Sequence, residues 1–133
     1  MKAVFVDTSA LLPLMDRDAA EHEALKSAVK ELASEKTTLV TTSYTLVKTG
    51  ALVKRRLGTE AFRALGEVVD DAMEIVWVDE ALHRQAWRKA AESGARGPSL
   101  VDWVSFITMR GMGLEIALTL DKHFAKQGFS MIP

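Results

Sequence analysis

The chain has 133 residues, 48% of them hydrophobic, a formal net charge of −1 and no cysteine. That length suits one compact domain, residues 1–133, with a core that needs neither disulfide nor structural zinc. Lacking cysteine, it is excluded from thiol catalysis and thiolate metal sites, and 17 basic against 18 acidic residues exclude a global basic field. No apolar run reaches the ~18–20 residues of a membrane span. Asp7 interrupts the opening apolar run Ala3–Val6 too soon for a signal-peptide core of roughly 7–15 residues. A cytoplasmic protein with no membrane partner is expected.

Ala3–Val6, apolar and β-branched, predicts a first strand buried on both faces. Asp7, Thr8 and Ser9 offer caps for a helix starting near Ala10, with Pro13 in its first turn, where a missing N–H breaks no intrahelical bond. Asp18 and Glu21 have capping-box spacing ahead of Leu25, Ala28, Val29 and Leu32 in helical phase. Residues 39–42 predict the second strand, and Ser43 caps a helix with Leu46, Gly50, Val53 and Leu57 along one stripe. Gly58 ends it; Thr59 opens another helix, lined by Phe62, Leu65, Val69 and Ala72. Residues 75–78 predict the third strand, and Asp79 precedes a helix carrying Leu82, Ala86, Trp87 and Ala90. Trp77 and Trp87 are expected in the core. The glycine- and proline-bearing segment 94–98 is the clearest break in the chain. Ser99 then opens a helix with Leu100, Val104, Ile107, Thr108 and Gly111. Residues 116–120 predict the fourth strand, Asp121 a short helical turn, and the segment after Phe129 the stub of a fifth strand. Strands alternating with helices pair in parallel, because each crossover needs a helix. The expected fold is a three-layer α/β/α sandwich around an open, mostly parallel sheet of four to five strands.

In such sheets ligands collect beyond the carboxyl ends of the strands. Asp7 and Asp121 directly follow predicted strands, and Asp102 lies in the first turn of the helix after the 94–98 loop. Gathered carboxylates repel one another, so a fold that collects them holds a hard cation between them, and magnesium or manganese suits phosphoryl transfer. Each aspartate reads equally as a helix cap: Asp7 and Asp121 sit at N-cap positions, and Ser99 with Asp102 has capping-box spacing. Spacing alone leaves both readings open.

Three segments in order add to this: Val6-Asp7-Thr8-Ser9-Ala10-Leu11-Leu12, Ser99-Leu100-Val101-Asp102, and Leu118-Thr119-Leu120-Asp121-Lys122-His123-Phe124 followed by Gly128-Phe129. Together they resemble the PIN-domain ribonucleases, in particular the VapC-type toxins of toxin–antitoxin pairs. The resemblance implies a metal-dependent endoribonuclease acting on single-stranded RNA with Mg2+ or Mn2+. Asp7, Asp102 and Asp121 would be its catalytic and metal-binding acids, with Thr8, Ser9 and Thr119 as polar support. It also implies a protein antitoxin that blocks the acidic cleft; a homodimer is expected.

One position departs from that family. Its fourth acid is a glutamate on the helix after the second strand, and the stretch 41–52 places Lys48 there. Three aspartates with a glutamate carry a formal −4, and with this lysine −2. At ~6 Å and an effective dielectric of ~20, each unit-charge pair is worth roughly 3 kcal/mol, so an inward lysine weakens a dication and disfavours a two-metal site. Lys48 lies about 200° around the helix from the apolar stripe, a direction open to cleft or solvent. The alternative function is therefore a catalytically weakened member that binds RNA or an antitoxin.

Residues 48–63 carry a local charge of +4, which makes Lys54, Arg55 and Arg56 candidates for a phosphate-backbone track, or else a solvated helix surface. Arg84, Arg88, Lys89 and Arg96 form a second basic stretch. Trp103 reads as a base platform or as packing, and His123 as a phosphate contact or a surface residue. A phospho-receiver or phosphatase is disfavoured, since Asp79 has no paired acids after the first strand to work with, and Asp7-Thr8-Ser9 lacks the second acid of an aspartate-nucleophile phosphatase.

Overall fold

Consecutive residues of the central strands are buried but turn to opposite faces of the sheet, and that alternation builds the two halves of the core. The computed structural model describes residues 2–133. Its elements run β1 (Ala3–Val6), α1 (Thr8–Leu14), α2 (His22–Ser34), β2 (Thr38–Thr42), α3 (Ser43–Leu57), α4 (Thr59–Ala72), β3 (Met73–Val76), α5 (Glu80–Glu92), α6 (Leu100–Met112), β4 (Ile116–Leu118), α7 (Lys122–Lys126) and β5 (Ser130–Ile132). The strands form one sheet in the order β3-β2-β1-β4-β5, every pairing parallel. The expected sandwich is present, with the fifth strand a full partner of β4.

Val4, Val6, Leu39 and Leu118 point to one face, where they pack with Leu11 of α1, Leu25 and Leu32 of α2, Val53 of α3, and Leu65 and Val69 of α4. Phe5, Val40 and Ala117 point to the other, against Phe106 and Met109 of α6 and Phe124 of α7. A period of two, buried on both sides, is what a covered parallel sheet requires. On the second face Phe106 meets Phe124 edge-to-face, with centroids 4.9 Å apart, and stacks on Phe129 at 5.9 Å. Gly58, at φ +98°, closes α3 and opens α4 in a conformation that disfavours any side chain.

Local details differ from the sequence expectation for identifiable reasons. Helix α1 starts at Thr8, so Pro13 is its sixth residue rather than part of a first turn. The ring forfeits one backbone bond in a helix that ends one residue later, where the Met15 N–H closes onto the Leu11 and Leu12 carbonyls at 3.1 Å each. Asp18 caps nothing: its own N–H donates to Asp16 at 3.0 Å, and α2 begins after Glu21 without a side-chain cap. Thr42 caps α3 in place of Ser43, whose hydroxyl instead accepts the Val78 N–H at 3.0 Å. The third strand begins and ends two residues early, which leaves Trp77 beyond it and 73% exposed. Trp87 is 58% exposed, because α5 buries only Ala86 and the next residue is turned ~100° away. The core placement expected for both tryptophans is thus incorrect. Among the described residues, no helix is long and apolar enough to cross a membrane.

Phe106 is fully buried at the centre of the aromatic cluster. Phe106→Ala is expected to cost about 3–5 kcal/mol in urea denaturation, and a loss below ~1 kcal/mol would contradict this packing.

Candidate active site

Neighbouring parallel strands end at the same level, and this brings distant parts of the chain together. The Asp7 N–H donates to the Leu118 carbonyl at 3.1 Å as β1 gives way to α1. Thr119 follows β4 directly and donates its N–H to Ile132 of β5 at 3.0 Å. Asp7 and Thr119 are therefore side by side at the carboxyl edge, although 112 residues apart.

Asp7 is only 3% exposed. Its Oδ2 accepts from the Ser9 N–H at 3.3 Å, the Ser9 hydroxyl at 2.7 Å and the Thr119 hydroxyl at 3.0 Å. The same two hydroxyls accept backbone protons, Ser9 Oγ from Leu120 at 2.8 Å and Thr119 Oγ1 from Asp121 at 3.0 Å. The β4–α7 connection is thereby tied to Asp7 through two side chains. Burial pushes the Asp7 carboxyl above the ordinary carboxylate range. The Ser9 and Thr119 hydrogen bonds oppose that shift and the Asp102 charge adds to it, with burial dominant.

Asp102, 7% exposed, forms a capping box at the start of α6. Its N–H donates to the Ser99 hydroxyl at 3.1 Å, and its Oδ2 accepts the Ser99 N–H at 2.9 Å. Asp121 caps α7 through Oδ1, which accepts the His123 N–H at 2.9 Å and lies 3.0 Å from His123 Nδ1. His123 Nε2 in turn sits 3.2 Å from the Arg96 carbonyl, so the 94–98 loop closes over this edge. One ligand atom each from Asp102, Asp121 and His123 lie within 4.8 Å of one another. Asp7 stands outside that tight group, yet near enough for the Asp102 charge to act on it.

The cap reading and the ligand reading are therefore compatible. Each aspartate caps a helix with one carboxylate oxygen. Among the described residues the other oxygen of each, Oδ1 of Asp7 and Asp102 and Oδ2 of Asp121, has no hydrogen-bond donor. Carboxylate oxygens with clustered negative charge, with one imidazole nitrogen beside them, suit a divalent cation.

Other sequence candidates are placed differently. Ser9 and Thr119 reach the Asp7 carboxylate, but Thr8 does not: its hydroxyl accepts from Thr49 at 2.9 Å and donates to the Thr45 carbonyl at 3.5 Å, clamping α1 to α3. Lys48 is exposed and, among the described residues, has no hydrogen bond or ion pair; its charge is not among the influences on Asp7. Lys54, Arg55 and Arg56 are exposed in the last turn of α3, where cations complement the carbonyl end of a helix, and the Lys54 ammonium lies 5.7 Å from the Phe62 ring centre. Trp103 packs: it meets Phe106 edge-to-face at 5.5 Å and donates Nε1–H to Ser93 at 3.0 Å. His123 is the residue that spacing undervalued. Its position two residues beyond a capping aspartate was visible, but the loop that comes back to meet it was not.

With this geometry in view, the chain can be compared with known proteins. The PIN-domain family profile matches residues 4–130. A relative from Mycobacterium tuberculosis, named 23S rRNA-specific endonuclease VapC20, is 31% identical over 127 residues, covering 95% of each chain. A crystal structure of M. tuberculosis VapC20, described as a sarcin-ricin loop cleaving toxin, superposes with a TM-score of 0.82 at 30% identity and 95% coverage of both chains. VapBC2 from Rickettsia felis, bound to a DNA fragment from its promoter, gives 0.70 at 10% identity over 97% of this chain and 96% of that one. FitAcB from Neisseria gonorrhoeae gives 0.65 at 17% identity over 98% and 96%. At those identities the last two show the fold alone. The profile and the VapC20 relative agree across almost the whole length, and the chain belongs to the PIN-domain family.

Proposed function

We propose that this chain is a divalent-metal-dependent endoribonuclease acting on single-stranded RNA, the toxin of a toxin–antitoxin pair. The observation that supports it most is the gathering of ligand atoms from Asp102, Asp121 and His123 at one sheet edge with Asp7 beside them, each aspartate keeping, among the described residues, one carboxylate oxygen free of donors. The activity of the VapC20 relative points the same way, and ribosomal RNA is the first substrate to offer. A protein antitoxin, a homodimer and a cytoplasmic setting complete the reading.

Asp7, Asp102 and Asp121 would hold Mg2+ or Mn2+, which supplies phosphate polarisation, a more acidic bound water and charge neutralisation at the leaving oxygen. The chain's own residues prepare that site. Ser9 and Thr119 fix the Asp7 carboxylate through Oδ2 and favour its ionised form against burial. His123 holds the orientation of Asp121 and anchors the Arg96 backbone. Lys54, Arg55 and Arg56 offer exposed cations for the RNA backbone.

Lys48 supports a second reading, that of a weakened member which binds RNA or an antitoxin. The family's fourth acid is replaced, and among the described residues the lysine forms no ion pair that would offset the loss.

Cleavage of single-stranded and ribosomal RNA with Mn2+ or Mg2+ tests the proposal. Activity is expected from the chain and none from Asp7→Asn, Asp102→Asn or Asp121→Asn; undiminished cutting by Asp7→Asn would refute the site. Lys48→Glu is expected to raise activity at limiting Mn2+ about tenfold by replacing a positive charge with the negative one that the family carries at this position. If only Lys48→Glu cuts, the second reading holds.

A third prediction concerns pH. Because the folded-state pKa of Asp7 is raised, its stabilising contribution is full below the unfolded value of ~3.9 and is lost as pH rises through the folded value. In EDTA at neutral pH, Asp7→Asn should melt higher than the parent, with the gap closing toward pH ~4. A gap that does not change with pH would assign the effect to something other than this carboxyl.

A further inference from the structure

Two exposed tryptophans on a small protein ask for an explanation, and one sits in a built environment. A hollow of about 350 Å³ on α5 is lined by Glu80, His83, Arg84, Trp87 and Arg88. The Trp87 and His83 rings lie 5.7 Å apart at 37° to each other. His83 is held from behind by Tyr44, whose ring meets it edge-on at 5.9 Å and whose hydroxyl hydrogen-bonds its Nδ1. Tyr44 is the second residue of α3, just past the carboxyl end of β2, and β2 is the neighbour of β1. The shelf therefore belongs to the same sheet edge as Asp7, displaced toward β3. The Val78-to-Ser43 hydrogen bond fastens the start of the β3–α5 connection there.

We propose that this shelf is a base-stacking subsite for single-stranded RNA, with an unpaired base on the open face of Trp87 and its phosphate on Arg88. The proposal rests on the reading of the chain as an RNA-acting protein. Charge favours RNA over a protein partner. Arg84 is engaged by Glu80 at 3.0 Å, whereas Arg88 is exposed and, among the described residues, unpaired. Stacked aromatics beside a free guanidinium are the recurring elements of single-strand recognition, and RNA brings one phosphate with every base. A protein covering the same ring would have to supply an acid for Arg88 or desolvate it unpaired. The pinned His83 and its helical neighbour Trp87 present their rings in a set arrangement, so little side-chain order remains to be imposed on binding.

The test is equilibrium binding of a short unstructured RNA oligonucleotide to the full chain in EDTA, followed by fluorescence anisotropy across a salt series, with sedimentation of each variant. Trp87→Ala is expected to raise Kd about tenfold, while Trp87→Phe retains most of the affinity. Arg88→Ala should weaken binding and reduce the salt dependence by about one phosphate contact. Oligomeric state should be unchanged in all three. Wild-type affinity in Trp87→Ala overturns the subsite, as does a wild-type chain that binds no RNA. A change of oligomeric state accompanying the loss assigns the surface to a second copy instead, and also overturns it. Cleavage with Mn2+ is scored separately: Trp87-dependent binding without cleavage sinks the nuclease reading and leaves the subsite, and normal cleavage with neutral Trp87→Ala does the reverse.

Discussion

A carboxylate buried at the end of the central strand is the constraint around which this molecule is arranged. Asp7 sits where β1, flanked by β2 and β4, turns into α1, and it is nearly removed from solvent. Such a group is costly unless donors surround it. Ser9, from the helix it caps, and Thr119, from the adjacent strand, provide them. Their hydroxyls also accept the backbone protons of Leu120 and Asp121, so the ionised form of Asp7 and the conformation of the β4–α7 connection are coupled. On the opposite side Thr8 locks α1 to α3 through Thr45 and Thr49. Burial still outweighs these donors, which holds the Asp7 carboxyl above the ordinary carboxylate range.

The three aspartates reconcile stability with chemistry by dividing their oxygens. One oxygen of each completes a helix start, in a simple N-cap at α1 and α7 and a reciprocal box at α6. One ligand atom each from Asp102, Asp121 and His123 gather within 4.8 Å at one edge, and Asp7 lies near enough for the Asp102 charge to act on it. An aspartate-to-asparagine change keeps a carbonyl oxygen for capping, so it separates the two duties better than alanine does.

Much of this was legible in the residues. The apolar run at Ala3–Val6 marked a covered strand and residues 39–42 a second one, and the capping patterns at Asp7, Ser99 and Asp121 marked the helix starts that end up together. What stayed hidden was tertiary. Pro13 reads as an early-turn residue until Thr8 joins the helix. Trp77 and Trp87 read as core because tryptophan is apolar, yet β3 is an edge strand and α5 turns Ala86, with half-buried Leu82 and Ala90, inward while Trp87 points out. His123 gains its place only when the 94–98 loop returns, and Thr8 looks like support for a carboxylate until α3 claims its hydroxyl. Lys48 is visible as a change of charge from sequence, while its lack of a partner required the fold.

The most direct measurement is Mn2+ binding by titration calorimetry, repeated across a pH series from the acid side upward. A carboxyl whose pKa burial raises holds its proton in competition with a dication, so affinity should strengthen as pH rises, and Asp7→Asn should abolish both that pH dependence and most of the affinity. Mn2+ binding of equal strength in the parent and Asp7→Asn, or none in either the parent or Lys48→Glu, would contradict a metal centre built on Asp7.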